Sequence, residues 1–130
     1  MGRGGKRVRR LVAGGQTFLW TVRHEHQEHG GGYRGCRETL AIRLLSSNGR
    51  LLIVFHASLG RLVPDGYLHS GAVRTSGGAV HNLHAPGTVR TLLDEACAVG
   101  WRPEGSAATE LDGWTLLDNV ASRGGRVPPA

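Results

Sequence analysis

The chain has 130 residues, 39% of them hydrophobic and 20% charged, which is apolar material for a single core. Sixteen Lys and Arg against ten Asp and Glu give a formal net charge of +6. The longest apolar run, Leu51-Leu52-Ile53-Val54-Phe55, is strand-sized, and the basic opening MGRGGKRVRR has no apolar stretch of a secretory signal behind it, so membrane-spanning, secreted and fibrous classes drop out.

Residues 1–6 and 123–130 read as flexible tails around one domain over 7–122, with no repeat or linker inside it. Residues 7–12 and 17–24 read as strands. In the second, Phe18, Trp20 and Val22 alternate with Thr17, Leu19, Thr21 and Arg23, the period of a half-buried strand. Gly14-Gly15 between them suits a tight hairpin at positive φ. Residues 25–36, EHQEHGGGYRGC, are polar and glycine-rich and are expected to form a loop. A second pair follows at 37–45 and 50–56, with Leu40, Ile42 and Leu44 alternating and Asn48-Gly49 as a hairpin signal. Residues 51–55 are apolar on both faces, which predicts a central strand. Residues 58–78 read as irregular, and 79–83 as a short fifth strand.

Residues 84–100 hold the clearest helix. Pro86 fits its first turn, and Val89, Leu92, Leu93, Ala96 and Cys97 form one apolar stripe. Cys97 is therefore expected to be buried, while Arg90, Asp94 and Glu95 point elsewhere. Gly100 is placed as the left-handed residue that ends the helix, with Trp101 packing back and Pro103 forbidding continuation. A strand at 108–111 and a short amphipathic helix at 114–121, with Trp114, Leu117 and Val120 inward, complete the chain. The elements sum to an α+β single domain: an antiparallel sheet of four to six strands with one main helix, 86–99, packed on one face. Val89, Leu92, Leu93 and Ala96 are expected to meet Phe18, Trp20, Leu40, Ile42 and Ile53.

The strand unit Trp20-Thr21-Val22-Arg23, together with the Pro-started helix closed by Gly100-Trp101-Arg102-Pro103, resembles a group of small actinobacterial proteins. The likeness covers residues 15–24 and 85–104 and leaves the His-rich stretch and the Trp114 segment outside. It implies a small α+β fold and brings no activity with it.

Three functional readings come from side-chain chemistry. Residues 1–60 carry ten basic and three acidic side chains, while residues 61–130 carry six and seven. A basic half attracts polyanions, and Arg3, Lys6, Arg7, Arg9 and Arg10 are the candidate nucleic-acid contacts. The same arginine and glycine excess also follows from GC-rich codons, and charge on an edge strand guards against edge-to-edge pairing. No helix carries a basic face, which disfavours major-groove reading by a helix.

His24, His26 and His29, in the order H-x-H-x₂-H, are candidate ligands for a divalent metal, with a solvated loop as the plainer reading. Cys36 and Cys97 share no metal-type spacing, and no disulfide is expected of them in a cytoplasmic protein. Ser58, Ser70 and Cys36 are nucleophile types, but none sits in a nucleophile elbow, so no catalytic residue and no cofactor is assigned beyond that candidate metal. The leading reading is a small non-enzymatic cytoplasmic binding or accessory protein with an unidentified protein partner and no membrane. The alternative is a basic nucleic-acid-associated protein holding phosphate backbone through its N-terminal half. A metal-binding protein built on the His-rich stretch is third.

Overall fold

The computed structural model describes residues 8–29, 32–57, 72–75 and 79–123, apart from the side chains of 26–29 and 32–35. Strand β1 (Arg9–Ala13) turns into β2 (Gln16–His29) through Gly14 and Gly15, whose φ angles of 60° and 78° only glycine adopts cheaply. Strand β3 (Gly32–Leu44) pairs antiparallel with β2 from Phe18↔Leu44 to His29↔Gly32. The expected loop over 25–36 is therefore largely paired strand, with a register shift between Glu25 and Gln27. Glycine and polar content argue for a loop, but a strand pair is also held by its backbone ladder and compatible cross-strand pairs. Glu25 and Arg37 are such a pair: they are opposite in register, and Arg37 Nε donates to Glu25 Oε1 at 2.7 Å.

Strand β4 (Arg50–His56) lies beside β3 in the interior of the sheet. Leu51, Ile53 and Phe55 are buried on one face and Val54 on the other, as a strand apolar on both faces requires. Asn48-Gly49 does mark the turn, but not the two-residue type it suggests, since Gly49 is not at positive φ. Its missing side chain serves a close approach instead: a Cβ there would collide with the Gly105 carbonyl.

Strands β5 (Ala72–Arg74) and β6 (Val80–Asn82) form a separate two-stranded sheet, so the expected fifth strand does not join the main one. Helix α1 (Pro86–Ala98) follows, then β7 (Ala108–Asp112) and helix α2 (Gly113–Ser122). β7 pairs parallel with β4 and closes the order β1-β2-β3-β4-β7. A parallel neighbour needs a long crossover, and the chain between β4 and β7 contains α1. At the end of α1, Gly100 at φ 117° lets its own N–H reach Cys97 O and the Trp101 N–H reach Ala96 O. That pair of bonds satisfies the last carbonyls and turns Trp101 back onto the core.

Phe18, Trp20, Leu40, Ile42 and Ile53 of the sheet share one buried cluster with Val89, Leu92, Leu93 and Ala96 of α1 and Trp114, Leu116 and Leu117 of α2. Two residues of α1 depart from the sequence reading. Cys97 is exposed and Glu95 is buried, because the inward face runs through Thr88, Leu92 and Glu95 rather than on to 97. Among the described residues no helix is long and apolar enough to cross a membrane.

Candidate polyanion-binding face

Strand alternation divides the main sheet into two faces. Arg9, Phe18, Trp20, Leu40, Ile42, Leu51 and Ile53 belong to the face under the helices. The other face carries Val8, Arg10 and Val12, then Leu19, Thr21 and Arg23, then Arg37, Ala41 and Arg43, and finally Arg50 and Leu52. Toward the His56 end, Thr39 and Val54 are buried. Toward the Val8 end the face is open: Val8 and Val12 are 61% and 65% exposed, Arg10 and Arg50 are exposed, and Leu19, Ala41, Arg43 and Leu52 are half-buried.

Two of the five arginines on this face share one counter-charge. Arg37 bonds Glu25 at 2.7 Å, and Arg23 lies 3.7 Å from the same carboxylate. The side chains of Arg10, Arg43 and Arg50 make no ion pair or hydrogen bond with the described residues. Arg43 and Arg50 stand one step beyond the Ile42↔Leu51 pair, at opposed positions of neighbouring strands, and both line the same shallow groove. Like charges so placed repel. The groove holds about 160 Å³, and Val8, Leu19 and Ala41 give it aliphatic walls.

The N-terminal candidates separate on this frame. Arg3, Lys6 and Arg7 lie outside the described residues. Arg9 is engaged internally: its guanidinium carbon sits 5.4 Å from the Trp20 ring centroid, and Nη1 donates to His84 O at 2.9 Å. Arg10, the next residue, faces the open side with Arg43 and Arg50. Those last two were missed in the sequence, where they sit in separate strands. The available signal was parity: position 43 alternates with the core residues Ile42 and Leu44, and position 50 with Leu51.

The histidine candidates are arranged differently from the expected loop. His24 is on β2 directly opposite Glu38, with Nδ1 2.7 Å from Glu38 Oε1, and the Glu38 side chain is wholly buried. The backbones of His26 and His29 continue β2, while their side chains lie outside the described residues. Among the described residues no three His, Cys, Asp or Glu side chains gather as a metal site. Burial pushes His81 below its usual range, and its Nδ1 is buried without a partner among the described residues. Partial burial of the thiol, then Asp94 and Glu104, push Cys97 up, which is the reverse of an activated nucleophile. Cys36 is buried, both cysteines are free, and Ser58 and Ser70 lie outside the described residues.

No protein-family model matches the chain, and no curated protein or solved structure matches it either.

Proposed function

We propose that the protein is a non-enzymatic binding module of the cytoplasm that holds a polyanion, nucleic-acid backbone first among them, on the helix-free face of its main sheet. One observation carries this reading: Arg10, Arg43 and Arg50 share an open face without counter-charges among the described residues, two of them at opposed positions. Guanidinium groups not already paired are available for charge-assisted, bidentate hydrogen bonds to phosphate. Two free cysteines fit a reducing compartment. The same face argues against self-association face to face, since a second copy would bring the same three arginines against these.

The test is salt-dependent retention on immobilised DNA and heparin. Three phosphate contacts give a log–log salt slope of about −2 on a single strand and nearer −3 on a duplex. Replacing Arg10, Arg43 and Arg50 with Gln abolishes that slope. Replacing Arg74, Arg90 and Arg102 with Gln removes the same net charge from exposed positions elsewhere and leaves the slope in place. Equal loss from the two triple variants would show that net charge alone governs retention. No retention of the parent at low salt would return the protein to the class of accessory modules with an uncharged partner surface.

A further inference from the structure

We infer that the groove on the helix-free face seats one base of a single-stranded nucleic acid, with Arg43 and Arg50 on the flanking phosphates. The inference rests on the polyanion reading and narrows its ligand. A surface that meets phosphates alone needs only cations, yet here the cations border a groove with aliphatic walls, Val8, Leu19 and Ala41, toward the open Val8 end of the sheet face. About 160 Å³ is below the range of ordinary small-molecule sites, so it takes a single planar ring system and not an extended ligand.

Bases of a duplex are stacked inside it and present only their edges in the grooves, so none of them can enter a groove of this size on the protein. Bases of a single strand are free to leave the stack and lie on a protein surface while the backbone runs past the cations. The arginines sit in the matching place. Leu19 pairs with Arg43 across β2 and β3, and Arg50 stands one step beyond Leu51, the partner of Ile42, so Leu19, Arg43 and Arg50 fall on one line across three strands and all line the groove. The one aromatic residue along the groove, Trp20, is buried in the core on the opposite face of the sheet, so the base packs on aliphatic carbon. The gain per base is then at the weak end of the usual range, and recognition is indifferent to sequence.

An acidic peptide also answers the charge of Arg43 and Arg50. It gives the groove no reason to be apolar, however, because its charge and its apolar side chains alternate freely and need no fixed spacing.

The experiment measures fluorescence anisotropy with the full chain at low salt. The probes are a short oligothymidylate, its abasic counterpart with the same backbone, a duplex of the same length and a polyglutamate peptide. Oligothymidylate binds about fivefold tighter than the abasic strand. Leu19→Ser reduces that ratio to near one while leaving abasic binding as it was. Arg43→Gln and Arg50→Gln weaken both strands alike. Equal binding of oligothymidylate and the abasic strand by the parent overturns the base-seating inference and leaves the polyanion reading intact, and it does so whether or not the Leu19 variant folds. Tighter binding of the duplex, or polyglutamate binding as tight as oligothymidylate, also overturns it. Binding of no probe overturns the polyanion reading itself.

Discussion

Glu95 is a carboxylate in the wrong place for a soluble helix. It is 4% exposed on α1, its Oε1 accepts from Arg123 Nη1 at 2.7 Å, and its Oε2 is buried with no partner among the described residues. Arg123 is the residue that closes α2, so the pair ties the end of the second helix to the flank of the first. Removing one member of a fully buried pair costs about 3–5 kcal/mol, because the other charge is left in low dielectric. The Arg123 side chain is 56% exposed, so water already screens it and reaches the space it vacates. The discounted cost of Arg123→Ala is about 1–2 kcal/mol, a large share of a stability that is about 5–15 kcal/mol for an ordinary domain.

Glu95→Met acts the other way. It removes the carboxylate and its orphaned oxygen together at similar volume, and it is neutral or stabilising by about 1 kcal/mol. In the Glu95→Met background, Arg123→Ala costs no more than about 0.5 kcal/mol. Urea unfolding followed by tryptophan fluorescence reads all of this, since Trp20, Trp101 and Trp114 are all buried. The double-mutant cycle gives a coupling of about 0.5–2 kcal/mol. A coupling near zero, or a Glu95→Met chain less stable than Arg123→Ala, would refute the argument that the ion pair is what makes this burial tolerable.

Three further expectations concern the core and its rim. Leu93 is 2% exposed at the centre of the apolar cluster, and Leu93→Ala lowers stability by about 2–5 kcal/mol through the cavity it leaves; a melt indistinguishable from the parent would remove it from the core. Gly113 opens α2 against Phe55, whose ring meets Trp114 edge-on at 5.0 Å, and a Cβ at 113 would collide with that ring, so Gly113→Ala costs about 1–3 kcal/mol and shifts the near-ultraviolet dichroism of Trp114. Burial holds the His81 pKa below its ordinary value, so as pH falls the unfolded chain takes that proton first: the stability is in place above about pH 6.5 and is lost as pH falls from there toward the lower native value. His81→Gln flattens that loss, and melting profiles that stay parallel for parent and variant across this window would contradict it.

What the sequence showed and what it concealed divide along a physical line. Leu40, Ile42, Leu44 and the 89–96 stripe were legible because burial imposes a period on apolar residues. Gly100, Trp101 and Pro103 were legible because few residues end a helix in that manner. The paired strands over 25–36 were not, since their glycines and polar residues display no apolar period, and the pairing of β2 with β3 is written in the register and not in the composition. The parallel placement of β7 depends on how a crossover returns to the sheet, which the five residues Ala108–Asp112 do not encode themselves. Glu95 was assigned to solvent because a carboxylate beside an apolar stripe belongs there until something supplies a countercharge, and Arg123 is 28 residues away. The open face was half legible: the excess of arginine in the first sixty residues was plain, but only the register of β3 and β4 brings Arg43 and Arg50 together, and only the register of β1 on β2 turns Arg9 away.

Arg9 and Arg10 make the sharpest use of that register. In sequence they are interchangeable members of a basic run. In the strand they point to opposite faces. Arg9 lies over Trp20 and binds the carbonyl of His84, joining the outer strand of the sheet to the turn that leads into α1. Losing the cation–π contact costs about 0.5–1 kcal/mol and losing the hydrogen bond about 1 kcal/mol more, so Arg9→Gln lowers stability by about 1–2 kcal/mol. Arg10 is exposed on the helix-free face and touches none of these groups. Arg10→Gln changes stability by less than about 0.5 kcal/mol. Binding inverts the order: removing one phosphate contact makes the salt slope shallower by about 0.7 on a single strand, so Arg10→Gln flattens the slope while Arg9→Gln leaves it where it was. Both variants remove one positive charge, so a difference between them cannot come from net charge. Equal slopes for the two, or a slope that changes only with Arg9, would place the anion on a different surface from the one bounded by Arg43 and Arg50.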